Sequence, residues 1–275
     1  MRIDSHHHFW RYTPTEYDWI GESMIEIRRD FLPADLKREL DRVGLDGAVS
    51  VQAGQTLEET NWLLDLADKN EFLKGVVGWV PLADANVSEI LDGLADRRKL
   101  KGVRHIVQAE PNERFILRDD FNAGVQMLAE YGLAYDILIY ERHLPQTIEF
   151  VDRHPNQVFV LDHLAKPRAQ ENLVEPWRSN IRRLAQRAHV YCKISGIVTE
   201  ADWNGWTEAQ LSVYLETVLD AFTPRRVMFG SDWPVCLVAS SYEKWYEVVS
   251  RFCDKLSLDE QVRIFGGTAT EAYRL

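Results

Sequence analysis

The sequence has little cysteine and no long apolar stretch, and both absences exclude classes of protein. Its three cysteines, Cys192, Cys236 and Cys253, are an odd number without a C-x-x-C pair, which argues against a disulfide framework and favours a reducing cytoplasm. The longest apolar runs, such as Ala134 to Tyr140, hold a handful of residues, whereas a membrane-spanning helix needs about 20. No charged and then apolar leader precedes Ile3. We therefore expect a cytoplasmic protein that does not enter a membrane.

Basic charge is scarce as well. The 32 lysines and arginines face 43 aspartates and glutamates, and the net charge of −11 disfavours nucleic acid or an anionic membrane surface as a partner. No stretch rich in proline, glycine and serine is long enough to link two domains, and no repeat is visible. A chain of 275 residues is close to the size of one α/β barrel, about 250 residues. We expect a single domain over residues 1–275 and a small neutral or polar ligand.

Eight short runs of β-forming residues divide the chain, and most end in glycine, aspartate, histidine or proline. The runs are Arg2 to His6, Gly47 to Gln52, Lys74 to Val80, Gly102 to Val107, Ala134 to Ile139, Val158 to His163, Val190 to Ser195 and Arg226 to Ser231. Amphipathic helical stretches separate most of them, as in Pro33 to Leu40, where proline occupies the first turn. This alternation predicts a closed parallel sheet, the (β/α)8 TIM barrel. Two long connections, Thr13 to Leu32 and Lys166 to Pro176, are expected above its catalytic face.

Three consecutive histidines follow the first predicted strand. Because side chains alternate along a strand, His6 and His8 point the same way and His7 points the opposite way. Two imidazoles at a strand end can hold a metal or steer a water, since imidazole is the commonest metal ligand. The other interpretation is a tag or a polar surface cluster. A tag would be longer and would not lie between Ile3 and Phe9, so we favour a site.

Polar residues also end the fourth, sixth and eighth predicted strands, and the functional groups of such a barrel lie at the carboxyl ends of its strands. Asp232 interrupts the buried run Phe-Gly-Ser-Asp-Trp-Pro, and the alternative to a site role is a cap for the following helix. His163 ends the sixth strand, and the alternative is a bond to a backbone carbonyl at the rim. Arg104 in the fourth strand requires either an anionic or carbonyl ligand or a neighbouring carboxylate. For Lys193 in the seventh strand, a ligand and a rim carboxylate are equally suitable partners.

These residues and their surroundings resemble the amidohydrolase superfamily, amidohydrolase 2 type. The matching segments are Ile3 to His8, Gly102 to His105, Leu161 to Pro167 and Phe229 to Pro234. The resemblance covers nearly the whole chain. It is greatest to sugar lactonases of the L-fuconolactonase and L-rhamnonolactonase type, and more distant to 2-pyrone-4,6-dicarboxylate lactonase.

The resemblance implies that His6, His8, His163 and Asp232 form the catalytic centre and can hold a divalent metal, with zinc the first candidate. The fourth and fifth strands lack the bridging lysine and ligand pair of two-metal members, which argues against a two-metal site. One ion or none is the expectation, and catalysis without a metal stays open.

The reaction we expect is hydrolysis of an aldonolactone to the open-chain acid. Asp232 is expected to act as general base and to return the proton to the ring oxygen. His163 and Arg104, or a metal held by His6 and His8, are expected to polarise the carbonyl. The candidate substrate-binding residues are Trp10, Trp79, His105, Tyr140, Lys166 and Lys193.

Two other functions compete with lactone hydrolysis. A metal-dependent decarboxylase, or another hydrolase of the same superfamily, would share the barrel and the strand-end residues. A barrel that binds a sugar without catalysing a reaction would be expected to lack some of the polar residues at the strand ends. In this sequence all of them are present. The expected partner is a small sugar lactone, and both a monomer and a homodimer stay open.

Overall fold

The computed structural model describes all 275 residues, and its sheet contains eight parallel strands in sequential order. The strands are β1 Ile3–His7, β2 Gly47–Val51, β3 Leu73–Gly78, β4 Leu100–His105, β5 Ala134–Ile137, β6 Phe159–Leu161, β7 Val190–Ile194 and β8 Val227–Phe229. A parallel bridge between His7 and Trp233 brings the chain after β8 beside β1. The sheet thus closes into a barrel. The predicted fold is confirmed, and every predicted strand end lies within two residues of the observed one.

Helices surround the barrel. They are α1 Pro33–Val43, α2 Leu57–Lys69, α3 Val87–Leu94, α4 Asp119–Leu128, α5 Leu144–Arg153, α6 Trp177–Leu184, α7 Glu208–Phe222 and α8 Tyr242–Cys253. Hydroxyl side chains cap several of them: Thr56, Thr207 and Ser241 each accept a hydrogen bond from the backbone N–H three residues later, which satisfies a free donor of the first turn. None of the helices is both long and apolar enough to cross a membrane.

The chain ends with two short helices that the sequence pattern did not predict, α9 Leu258–Val262 and α10 Thr268–Tyr273. Side chains of α10 belong to a small buried cluster with inward-facing residues of β1, β2, β3, β5, β6 and β8. Helix α10 therefore packs against the inside of the barrel. A larger apolar cluster fills the space between the strands and the outer helices. All three cysteines are buried and unpaired, as expected for a chain without a disulfide framework.

The two long connections contain only short 3-10 turns. Glu22–Ile27 lies in the first and Ala169–Glu171 in the second. An antiparallel bridge between Trp10 and Phe31 joins the two ends of the first connection. Its middle part reaches the barrel mouth, where Asp18, Trp19 and Met24 line the cleft described below.

Candidate active site

Four strand-end side chains meet at the floor of the barrel mouth. Asp232 Oδ1 lies 3.7 Å from His6 Nε2 and 3.5 Å from His8 Nε2. His163 Nε2 is 3.7 Å from the same oxygen. The Nε2 atoms of His6 and His8 are 3.2 Å apart. All four residues are buried, and we call them the histidine–aspartate cluster.

Unusual backbone conformations position half of this cluster. His163 has φ 51° and Asp232 has φ 58°, in the left-handed region that side chains other than glycine rarely adopt. Leu164, Ala165 and Lys166 continue the left-handed turn with φ between 47° and 58°. Gly196 makes room for the His163 ring, because a Cβ there would lie 2.5 Å from His163 Nδ1. Strain of this kind persists where the surrounding structure fixes it, and it is concentrated at functional sites.

Hydrogen bonds orient the imidazoles so that their Nε2 atoms face inward. His8 Nδ1 lies 2.8 Å from the carbonyl oxygen of Val51, which can only accept, so Nδ1 carries the proton and Nε2 carries the lone pair. His163 Nδ1 is 2.8 Å from Ser195 Oγ. Outer partners of this type fix the tautomer of histidines that bind metals.

The cluster has the dimensions of a metal site. Four nitrogen and oxygen ligands about 2.1 Å from a tetrahedral zinc ion lie about 3.4 Å from one another. The Nε2 atoms of His6 and His8, 3.2 Å apart, and Asp232 Oδ1, 3.5 to 3.7 Å from each of them, are close to this spacing and form one group of three ligands. His163 Nε2 approaches this group at Asp232 Oδ1, 3.7 Å away. Three neutral nitrogens and one carboxylate form a donor set that suits zinc. Asp162 offers an alternative group of three ligands with His6 and His163.

Electrostatics favour the protonation states that bind a cation. Burial lowers the pKa of His163 to about 4, against the opposing charge of Asp232. Burial also lowers the pKa of His6 well below its ordinary value. Burial alone would raise the pKa of Asp232, but the nearby imidazoles of His163 and His8 outweigh it and lower the pKa. His6 and His163 are therefore neutral and Asp232 is ionised at pH 7.

Next to the cluster lies a buried group of charges, which we call the buried ion network: Arg104, which also lines the cleft described below, Asp136, Asp162 and Lys193. Lys193 Nζ is 2.5 Å from Asp136 Oδ2 and 3.0 Å from Asp162 Oδ1. The same ammonium lies 3.2 Å from His6 Nδ1. Tyr273 of α10 donates its hydroxyl to Asp136, 2.7 Å from Oδ2. Two cations and two carboxylates balance each other here, since burying an unpaired charge is costly.

Four of the five N–H groups of Arg104 donate to oxygen atoms of the protein. Nε–H and one N–H of Nη2 donate to the side-chain oxygen of Gln52, and the other N–H of Nη2 donates to the Gln52 carbonyl oxygen. Nη1 donates to Asp162 Oδ2 at 2.9 Å and lies 3.4 Å from His6 Nε2. At most one N–H of Nη1 is left for another partner. This geometry favours a positioning role for Arg104 over the polarising role expected from the sequence.

A cleft of about 650 Å³ opens above the cluster. His8, His163 and Asp232 contribute to its wall, and the loops after the strands supply the rest. Of the predicted substrate-binding residues, Tyr140 and Lys166 line this cleft. The cleft-lining residues that the sequence pattern did not indicate include Gln108, Thr199, Glu200 and Trp203.

The other four predicted substrate-binding residues lie elsewhere, which corrects that expectation. Trp10 is fully buried, and its indole N–H donates to the Arg29 carbonyl oxygen. His105 turns away from the barrel interior and pairs with Glu110 at 2.7 Å, and the Trp79 indole nitrogen lies 3.4 Å from His105 Nδ1. Lys193 is completely buried beneath the cluster. Packing and ion pairing, the alternatives open at the sequence level for these residue types, account for these four positions.

One carboxylate beside the mouth provides a test of these electrostatics. Glu59 accepts hydrogen bonds from Ala53 N and Gly54 N in the loop after β2, and burial raises its pKa to about 7. A raised folded-state pKa gives stability at low pH that is lost as the pH rises through 7. Relative to Glu59→Gln, the wild type should lose about 2 kcal/mol between pH 5 and pH 8 in urea unfolding. Glu58→Gln, at the exposed neighbouring position, is the control, and a stability difference between wild type and Glu59→Gln that stays constant over this range would contradict the account.

A parallel barrel whose strand ends hold this cluster indicates a class of hydrolytic enzymes, and sequence comparison gives the same class. The chain matches the amidohydrolase family model over residues 3–275 and belongs to that family. It is 41% identical to L-fucono-1,5-lactonase of Burkholderia multivorans, over 100% of this chain and 96% of that protein. It is 34% identical to L-fucono-1,5-lactonase of Burkholderia ambifaria, with the same coverage. The resemblance inferred from the motifs is confirmed.

A solved structure shows the same arrangement of the whole chain. The crystal structure of an amidohydrolase from Burkholderia multivorans with bound zinc superposes with a TM-score of 0.96 at 41% identity. The superposition covers 100% of this chain and 99% of that one.

Proposed function

We propose that this protein hydrolyses a neutral sugar lactone, an aldonolactone of the L-fucono-1,5-lactone type, to the open-chain acid. The observation that carries the proposal is the histidine–aspartate cluster at the floor of the cleft. Identity of 41% with a named lactonase over the full chain supports the reaction. Reaction in the cytoplasm fits the three unpaired cysteines.

Asp232 is the proposed general base. Its contacts with the three histidines are all made by Oδ1, so Oδ2 is the oxygen left to accept a proton from the attacking water. The lowered pKa of Asp232 keeps the carboxylate ionised at neutral pH. After attack, Asp232 returns the proton to the ring oxygen as the carbon–oxygen bond breaks. A base placed in this way contributes about 10²–10⁴-fold to the rate.

We further propose that His6, His8, His163 and Asp232 hold one zinc ion. The spacing of their donor atoms around Asp232 Oδ1, and the bond of His8 Nδ1 to the Val51 carbonyl oxygen, which leaves its Nε2 toward Asp232, support this assignment. A bound zinc ion supplies Lewis-acid stabilisation of the negative charge that develops on the lactone carbonyl oxygen. His163 then acts as a ligand, and Arg104 holds His6 and Asp162 in place.

The charges of the cleft favour a neutral substrate. Because four of the five N–H donors of Arg104 are engaged, Lys166 is the cation of the cleft wall with the most donors to spare. A carboxylate-bearing lactone would require further free cations. A sugar lactone requires only hydrogen-bond partners for its hydroxyls, and polar side chains of the cleft wall such as Gln108, Thr199 and Glu200 can provide them.

A pH-stat assay over a panel of aldonolactones tests the reaction. We expect one equivalent of acid to be released for each lactone opened. Carbon dioxide release from an aromatic acid without acid production would instead support the decarboxylase alternative. Acid release from none of the lactones would overturn the proposal.

Chelation tests the metal assignment. Dialysis against a chelator should lower lactone hydrolysis at least about 100-fold, because the ion stabilises charge in the transition state. One equivalent of zinc per chain should restore it. Full activity in protein that contains no metal by elemental analysis would show that Asp232 and the histidines act without an ion.

A further inference from the structure

The strongest unassigned feature of the cleft is an ion pair on its wall, Lys166 with Glu200. Lys166 closes the left-handed turn after β6, and Glu200 ends the 3-10 turn Ile197–Glu200 after β7. Lys166 Nζ lies 3.4 Å from Glu200 Oε1. The side chains are 17% and 21% exposed, and both line the cleft with His163 and Asp232.

This pair has unused hydrogen-bonding capacity. An ammonium carries three donors and a carboxylate about four acceptor positions. At 3.4 Å the two groups attract each other without a full hydrogen bond, and neither makes a hydrogen bond to another protein group. The pair is therefore available to a ligand, in contrast to Arg104, most of whose donors are engaged within the protein.

The surroundings hold the Lys166 side chain over the cleft. Lys166 Nζ lies 5.6 Å from the centre of the Tyr140 ring, within the range of a cation–π contact. Backbone bonding fixes the turn, since Lys166 N donates to the His163 carbonyl oxygen at 2.7 Å and Trp177 Nε1 donates to the Leu164 carbonyl oxygen at 2.6 Å. The turn that places His163 in the cluster thus also places Lys166 in the cleft.

We propose that Glu200 is a specificity-determining residue, which acts with Lys166 to bind adjacent hydroxyls of the sugar and to exclude lactones that carry a carboxylate. This inference rests on the proposed lactonase function. Each hydroxyl is both donor and acceptor, so a diol satisfies the carboxylate and the ammonium together. Glu200 also neutralises the charge of Lys166. A carboxylate on the substrate would therefore be repelled by Glu200 and would have no unpaired cation to bind. Both effects select a neutral polyol.

The test compares two lactones of the same sugar configuration, an aldonolactone and the aldarolactone that carries one free carboxylate. Wild type should prefer the aldonolactone in kcat/KM. Glu200→Gln should lower kcat/KM for the aldonolactone about 10- to 100-fold, since it weakens hydrogen bonds to a charged group. The same change should raise kcat/KM for the aldarolactone about 10-fold, because Lys166 loses its counter-charge.

Two further variants make the result specific. Glu200→Asp keeps the charge and should retain most of the wild-type preference. Glu141→Gln removes one negative charge close to the cleft from a residue outside its wall, and should leave the preference unchanged. Thermal melts of each variant establish that it is folded.

The possible outcomes separate the two proposals. If wild type opens lactones but Glu200→Gln changes both substrates equally, the assignment of Glu200 is wrong and the lactonase proposal stands. If wild type opens neither lactone nor any other in the panel, the lactonase proposal is wrong and the role of Glu200 falls with it. The inference is supported if the preference for the aldonolactone over the aldarolactone narrows or reverses in Glu200→Gln but not in Glu200→Asp or Glu141→Gln.

Discussion

Asp232→Asn is expected to lower kcat/KM for lactone opening by about 10³-fold. The amide cannot accept the proton of the attacking water, and it also weakens the set of ligands around the proposed ion. Steady-state assays at saturating zinc, with the zinc content of each sample measured, separate these two effects. A large loss of kcat in fully loaded protein indicates the loss of the base.

The control for this variant is Asp254→Asn, an exposed aspartate just beyond the end of α8. It removes the same charge far from the mouth and should retain normal turnover. Turnover within a few-fold of wild type in Asp232→Asn would contradict the proposed reaction mechanism.

Lys193→Met is expected to lower the free energy of unfolding by about 3–5 kcal/mol. The change leaves Asp136 and Asp162 buried without their shared cation, and breaking a buried ion pair by removal of one partner has this cost. Urea unfolding at pH 7 measures it. The double variant Lys193→Met with Asp136→Asn should regain part of the loss, because it removes the charge of Asp136, whereas Asp162 keeps its ion pair with Arg104.

Lys37→Met is the matched control, because Lys37 is an exposed lysine of α1 that pairs with Asp41 on the surface. Its effect should stay within about 0.5 kcal/mol. A Lys193→Met protein as stable as wild type would show that the buried ion network is not held together as described.

The sequence predicts the barrel well because the relevant signals are local. Each strand is a short β-rich run that ends in a polar residue or a turn former, and amphipathic helices separate the runs. Strand alternation also predicts that the His6 and His8 side chains point to the same side of the strand, and their Nε2 atoms lie 3.2 Å apart. The rule that strand ends meet at one mouth is sufficient to bring His163 and Asp232 to the same place.

The sequence predicts partners across the barrel poorly. For Lys193 it leaves a ligand and a carboxylate equally open, and the answer depends on Asp136 and Asp162 from two other strands. A polar Asp136 within the apolar run Ala134 to Ile137 was a usable signal, since a buried carboxylate needs a cation. Nothing local indicates that Tyr273, at the far end of the chain, closes that network.

Aromatic residues and loops were the least predictable part of the site. Trp10 and Trp79 stand near strand ends, but their indoles serve packing and hydrogen bonding within the loops. Glu200 and Trp203 reach the cleft because a turn after β7 carries them there. Loop conformation of this kind follows from tertiary contacts, which spacing along the chain does not encode.

The most direct test of the proposed active site is an anomalous difference map at the zinc edge from crystals of the zinc-loaded protein. We predict one peak about 2.0–2.2 Å from the Nε2 atoms of His6, His8 and His163 and from a carboxylate oxygen of Asp232. A map with no peak among these four side chains, or with its zinc bound elsewhere, would contradict the assignment.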